Sequence, residues 1–126
     1  MIEIRKAIFI HDDLINKLGG SKGIRDMGLL DAALNRPFAT FDSIDLYPTP
    51  FDKASAILES ILINHPFIDG NKRTAYVLMK LLLFQNGILL TANQSEKYQM
   101  VIKASTGELR FDEIKLWLVS NTTINK

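Results

Sequence analysis

The chain has 126 residues, 47% apolar and 23% charged, with no cysteine and a formal charge of +1. That length and balance suit one domain with a single core and exclude wholesale disorder. Without cysteine there is no disulfide frame, thiolate nucleophile, cysteine zinc site or iron–sulfur cluster, and His11 and His65 alone are too few for a multi-histidine metal centre. The near-neutral charge also excludes a surface built to coat a polyphosphate. Residues 64–126 carry eight basic against five acidic side chains, whereas residues 1–63 carry seven against nine, so an anionic ligand is expected in the second half. No segment reaches the length of a membrane span: Ala7-Ile8-Phe9-Ile10 is cut at once by His11-Asp12-Asp13. A cytoplasmic enzyme or binding module is expected, with residues 1–126 forming one domain.

In chain order, Ile4 to Leu18 reads as a helix with Ala7, His11, Leu14 and Leu18 on one stripe, stopped by Gly19-Gly20. Asp26 is a cap for a second helix through Leu29, Leu30, Ala33 and Leu34, which Pro37 ends. Phe38 to Pro48 has no helical period and reads as an irregular or flap-like connection. Thr49-Pro50, with Asp52 in the first turn, opens a third helix whose apolar positions Ala54, Ile57, Leu58, Ile61 and Leu62 follow the helical repeat. Asn64-His65-Pro66 ends it, because the residue before proline avoids the α region. A short loop, His65 to Asn71, leads into a helix from about Lys72 to Gln85, apolar nearly all round and therefore placed at the centre of a bundle. Asn86-Gly87 stops it. Further helices are expected over Ser95–Ala104 and Asp112–Val119, the last with Ile114, Trp117 and Leu118 inward. The fold class is all-α, a single helical bundle.

One segment does not belong to this pattern of core and surface: His65-Pro66-Phe67-Ile68-Asp69-Gly70-Asn71-Lys72-Arg73-Thr74-Ala75. The first free N–H groups of the following helix point into the loop, and the helix dipole adds roughly half a positive charge there. Gly70 permits close backbone approach, and Lys72 and Arg73 supply full charges, so the loop suits phosphate. Asp69 would repel phosphate unless a cation lies between, and magnesium held by one carboxylate plus nucleotide phosphates resolves that conflict. His65 is of the side-chain type that most often takes a proton from an attacking hydroxyl.

Plainer readings stand beside these. His65 also suits a helix-terminal histidine, Asp69 a helix cap, and Lys72 and Arg73 solvated first-turn residues, although cations at a helix N-terminus oppose the dipole. His11, on the apolar stripe, reads as a packed, hydrogen-bonded core histidine. Gly19 to Gly23 reads as a turn, since it lacks the Gly-Lys-Ser/Thr order of a phosphate loop. Phe38, Phe41 and Tyr47 fit either core or a target-docking flap.

The eleven-residue segment resembles the signature loop of the Fic/Doc superfamily, and its Asn-Lys-Arg-Thr-Ala ending resembles the Doc ("death on curing") branch. Gly19-Gly20, Gly23-Ile24-Arg25-Asp26, Leu29-Leu30 and Arg36-Pro37 are similar to the first third of that branch. Asn86-Gly87, Thr106-Gly107-Glu108 and Trp117-Leu118 are similar to its last third. The resemblance implies a small helical bundle in which His65 is the catalytic base and Asp69 the Mg²⁺ ligand. It assigns Gly70, Asn71, Lys72 and Arg73 to the nucleotide-phosphate nest and makes Phe67 the structural anchor of the loop. Lys72 stands where Fic adenylyltransferases have a glycine, and Tyr76 where they have a second arginine. The implied activity is transfer of the γ-phosphate of ATP to a Ser or Thr of the translation factor EF-Tu, arresting growth. A Fic-type AMP transfer, or a catalytically idle binding module, is the alternative. No helix carrying a glutamate is read that would plug the nest in cis, so restraint is expected from a separate antitoxin. Binding to DNA or to a membrane is not expected.

Overall fold

A computed structural model of the chain describes residues 1–124. Helix α1 (Ile4–Leu18) buries the i, i+4 row Ala7, His11 and Ile15 and ends where Gly19 leaves the helical region. The buried stripe is rotated from the one read in the sequence, because Leu18 is 63% exposed. Which face turns inward is set by what packs on α1, not by its own apolar residues alone. Helix α2 (Met27–Asn35) is capped by the Asp26 carboxylate, which accepts from Leu29 N at 3.0 Å. A 3-10 turn, Arg36–Phe38, follows around Pro37.

The next segment is a small hairpin, with β1 (Thr40–Phe41) antiparallel to β2 (Ile44–Asp45). Its turn residues Asp42 and Ser43 both have positive φ, the geometry of a tight hairpin turn, but they carry no Asn-Gly or Asp-Gly signal that would announce it. Helix α3 (Pro50–Asn64) opens with a capping box: Thr49 Oγ1 accepts from Asp52 N, and Asp52 Oδ2 accepts from Thr49 N, each at 3.1 Å. The hairpin is tied to this end of α3, since Lys53 Nζ donates to the carbonyls of Pro37 and Tyr47. Fifteen residues of helix, roughly 22 Å of rise, separate it from His65. Phe41 and Ile44 are exposed there, so this segment lies at the opposite end of α3 from the histidine.

Helix α4 (Asn71–Phe84) packs along α3. Thr74, Ala75, Leu78, Met79, Leu82 and Leu83 are buried, while Phe84 is exposed. The more enclosed helix is α3, which is covered by α2, α4, α5 (Gln94–Ser105) and α6 (Phe111–Ser120). Strands β3 (Ile88–Leu90) and β4 (Thr122–Ile124) pair antiparallel, Ile88 opposite Ile124, and fasten the chain's last described turn to the end of α4. Three-residue runs are too short to display alternation, which is why no strand was read there. Trp117 is half-buried against the core rather than fully enclosed. The fold is a helical bundle with one contiguous apolar core. No helix among the described residues is long and apolar enough to cross a membrane.

Polar groups also enter the interior. Glu59 of α3, 5% exposed, lies 3.0 Å from both Arg36 and Arg110 and accepts from Phe111 N at 2.8 Å. Arg36 also donates to Ser60 Oγ and Tyr47 Oη at 3.0 Å, and its guanidinium lies over the Tyr47 and Phe111 rings. This knot joins the 3-10 turn, α3 and α6. Asp52 pairs with Lys115 at 2.7 Å and ties α3 to α6 a second time.

Candidate active site

The site is made where α3 stops and α4 starts. At the end of α3, Pro66 forbids a further turn and His65 adopts a left-handed conformation, φ 48 and ψ 61. Its side chain is exposed. The chain then dives inward at Phe67, which is 1% exposed and stacked face to face on the His11 ring, centroids 3.9 Å apart and planes 5° off parallel. Asn71 closes the loop on itself, with Oδ1 accepting from Phe67 N at 3.0 Å and Nδ2 donating to Phe67 O at 2.9 Å. Its side chain thereby sets the shape of the loop, and its backbone N–H faces the start of α4.

Gly70, in the left-handed region at φ 74, is the N-cap of α4. A Cβ there would lie 3.1 Å from Ile15 and 3.5 Å from His11 Nε2, so glycine meets both the conformation and the space. The first intrahelical bond of α4 runs from Thr74 N to Gly70 O. The N–H groups of Asn71, Lys72 and Arg73 precede it and stay free of the ladder, as at any helix N-terminus. Lys72 is exposed beside them. Arg73 donates to Gly19 O at 2.9 Å.

Asp69 is exposed yet held in place, accepting from Ser21 N at 3.0 Å through Oδ2 and from Gly70 N at 2.8 Å through Oδ1. These two N–H bonds, Ser21's first, with the charge of Arg73 added, keep its carboxyl below the ordinary value. It is thus an ionised oxygen donor with lone pairs to spare at neutral pH. One hard carboxylate at the edge of an anion nest fits magnesium, which takes a single protein carboxylate and completes its shell with phosphate and water. Among the described residues no group of three acidic or histidine ligands forms a protein-only metal cage.

Two contributions to the site were missed from the sequence: the strip of backbone beside the loop, and the part His11 plays beneath it. The segment from Gly19 to Arg25, whose first part, Gly19 to Gly23, was read only as a turn, runs beside the loop: Ile24 bridges Phe67, and Ile68 N donates to Gly23 O at 3.1 Å. Gly20 is needed because a Cβ would come within 2.6 Å of Asp69 Oδ2. The repeated glycines were the available signal. His11 is the packed, hydrogen-bonded histidine expected, but its Nε2–H donates at 2.7 Å to the Asp69 carbonyl, so it supports the loop from below. His11→Phe keeps the ring on Phe67 and loses that bond. It is expected to cost about 1 kcal/mol in urea unfolding and to speed amide exchange in residues 67–71.

Beside Lys72 and Arg73 a groove of about 210 Å³ opens between α4 and α5, walled by Tyr76, Tyr98 and Val101 with Lys97 at its rim.

The loop, the strip beside it and the helices that carry them have counterparts in known proteins. The chain is 49% identical over 75 residues to the Toxin Doc of Mycolicibacterium smegmatis, covering 60% of this chain and 58% of that relative. It is 28% identical to the Protein kinase doc of Escherichia phage P1 over 90% of this chain and 88% of the phage protein. A third relative, the Protein adenylyltransferase fic-1 of Caenorhabditis elegans, is 33% identical over 55% of this chain but only 14% of its own length. The sequence pattern of the Fic/DOC family runs through residues 2–83, from the start of α1 to the last turn of α4 and so across the whole loop from His65 to Ala75, and the chain belongs to that family.

Proposed function

We propose that this chain is a Doc-type toxin that transfers the γ-phosphate of ATP to a Ser or Thr hydroxyl of a translation factor, with EF-Tu the target implied by resemblance. The observation that carries the reading is the junction of α3 and α4. There an exposed histidine, a fixed exposed carboxylate, two cations and three unused N–H groups share one loop. The names of the relatives agree with it: one a toxin, one a protein kinase.

In this reading His65 accepts the proton of the target hydroxyl as its oxygen bonds to the γ-phosphorus. The bond from that phosphorus to the bridging oxygen breaks, and ADP departs with the electron pair. Lys72, Arg73 and the N–H groups of α4 stabilise the charge on the phosphoryl oxygens. Asp69 would hold Mg²⁺, which neutralises phosphate charge when bound. Tyr76 and Tyr98 offer aromatic walls to the nucleoside end in the groove beside Lys72.

The choice between kinase and AMP transferase rests on two residues. Adenylylation needs the β- and γ-phosphates seated deep in the nest as leaving group. Lys72 fills space there that a glycine would leave open, and Tyr76 brings no charge to neutralise them. Both favour a nucleotide turned so that its γ-phosphate meets His65. With purified translation factor, γ-labelled ATP is expected to mark the target and α-labelled ATP to leave it unmarked. Marking by the α-label would make the chain an adenylyltransferase, the name that other relatives carry. Marking by neither, together with harmless overexpression, would make it an idle module. The toxin acts in the cytoplasm in this reading, and a separate antitoxin chain covers its site.

A further inference from the structure

A general-base histidine is ordinarily aimed by a hydrogen bond to its second ring nitrogen, from a carboxylate or a carbonyl. Among the described residues no hydrogen bond reaches either ring nitrogen of His65. What is held instead is its backbone. Arg25 Nε donates to the His65 carbonyl at 2.6 Å, and Arg25 Nη2 donates to the Asn64 carbonyl. The next carbonyl, that of Pro66, accepts from Arg25 N at 2.7 Å and from Asp26 N at 3.0 Å. Three successive carbonyls around the histidine are thereby fastened by two neighbouring residues forty positions earlier in the chain.

The fastening has something to hold. His65 is one of three non-glycine residues with positive φ in the described chain. The left-handed region is disfavoured for an L-residue, so the conformation persists only where its surroundings impose it. The carbonyls of Asn64 and His65 also lie at the C-terminal end of α3, where orphan acceptors and the negative end of the dipole attract a cation. A planar guanidinium supplies two donors in fixed geometry and meets both demands at once. With φ and ψ of His65 fixed, the direction of its Cα–Cβ bond is fixed too, and the ring is confined to a few rotamers.

We infer that Arg25 is the positioning residue of the site: by clamping the backbone of His65 in its left-handed turn, it takes the part that a ring-bound carboxylate plays in other histidine-dependent enzymes. The catalytic half of this inference rests on the proposed role of His65 as the base. The geometric half does not.

The test uses the whole chain carrying Arg25→Gln, with Arg25→Lys as the variant that keeps a charge at the end of α3 but loses the fork. In the target-labelling assay kcat is expected to fall about 10- to 100-fold in Arg25→Gln while KM for ATP stays near the wild-type value, because the phosphate ligands are untouched. Arg25→Lys should lie between. Millimolar guanidinium, too little to denature, should restore part of the activity of Arg25→Ala, since the side chain it replaces is exposed. The chain has only two histidines, so its imidazole NMR spectrum holds two sets of signals. Those of His65 should move in the variants, and those of His11, buried beneath Phe67, should not. An unchanged kcat in folded Arg25→Gln, a raised KM with unchanged kcat, or a joint shift of both histidines would each overturn the inference. A wild-type protein that labels nothing under any condition would defeat the functional reading, and the spectra would still decide whether Arg25 sets the conformation of His65.

Discussion

Labelling of the target protein is expected to fall about 10²- to 10⁴-fold on His65→Ala, the range that a positioned general base contributes. Because the imidazole takes a proton and holds no phosphate in this arrangement, KM for ATP should change little. The fold should survive, since the side chain is exposed and the residue's structural work is done by its backbone. His65→Gly sharpens the experiment. Glycine occupies the left-handed region without strain, so this variant should be as inactive as alanine yet more stable than it by up to about 1 kcal/mol. Urea unfolding and single-turnover labelling on the same two preparations read both numbers. Wild-type labelling by either variant would remove His65 from the chemistry. Inactivity accompanied by loss of the folded baseline would instead make its role structural.

Glu59 carries the largest expected effect on stability. Its carboxylate is enclosed and answers Arg36, Arg110 and the Phe111 N–H together. Removing one member of a buried pair leaves the other charge without compensation, typically at 3–5 kcal/mol. Arg110 is 60% exposed and Arg36 29% exposed, so water recovers part of the loss. Glu59→Gln is therefore expected to cost about 3 kcal/mol, a large share of a typical domain's stability.

The same group predicts a direction with pH. Burial pushes the Glu59 carboxyl up, but the hydrogen bonds from Arg110 and Arg36 more than reverse this and leave it below its ordinary value. Asp52 behaves alike, with burial opposed by Lys115 and Thr49. A carboxyl lowered by folding stabilises the protein above its unfolded pKa, about 4.3 for Glu and 3.9 for Asp. That contribution is lost as pH falls through the folded pKa. Urea midpoints should thus hold steady from neutrality to about pH 5 and decline below it, less steeply in Glu59→Gln. A midpoint that rises on acidification would contradict the assignment.

Local chemistry made much of this protein legible from its residues alone. Asp26 and the Thr49–Asp52 box announce helix starts, Pro66 a stop and Gly70 a tight entry, because each acts on a backbone no more than four positions away. The candidate site was legible for the same reason: its charged members fall within the short stretch from Asp69 to Arg73, so one loop holds the candidates. The tertiary structure alone decided how that loop is held. His11 reaches Asp69 across 58 positions, Ser21 across 48, and Arg25 reaches His65 across 40. Glu59 meets Phe111 across 52, and β3 finds β4 beyond two intervening helices. Periodicity and capping report only a residue's neighbours along the chain, whereas these contacts depend on how whole helices pack, which no local pattern encodes. The same holds for Asn71: only the folded loop brings its amide back onto Phe67.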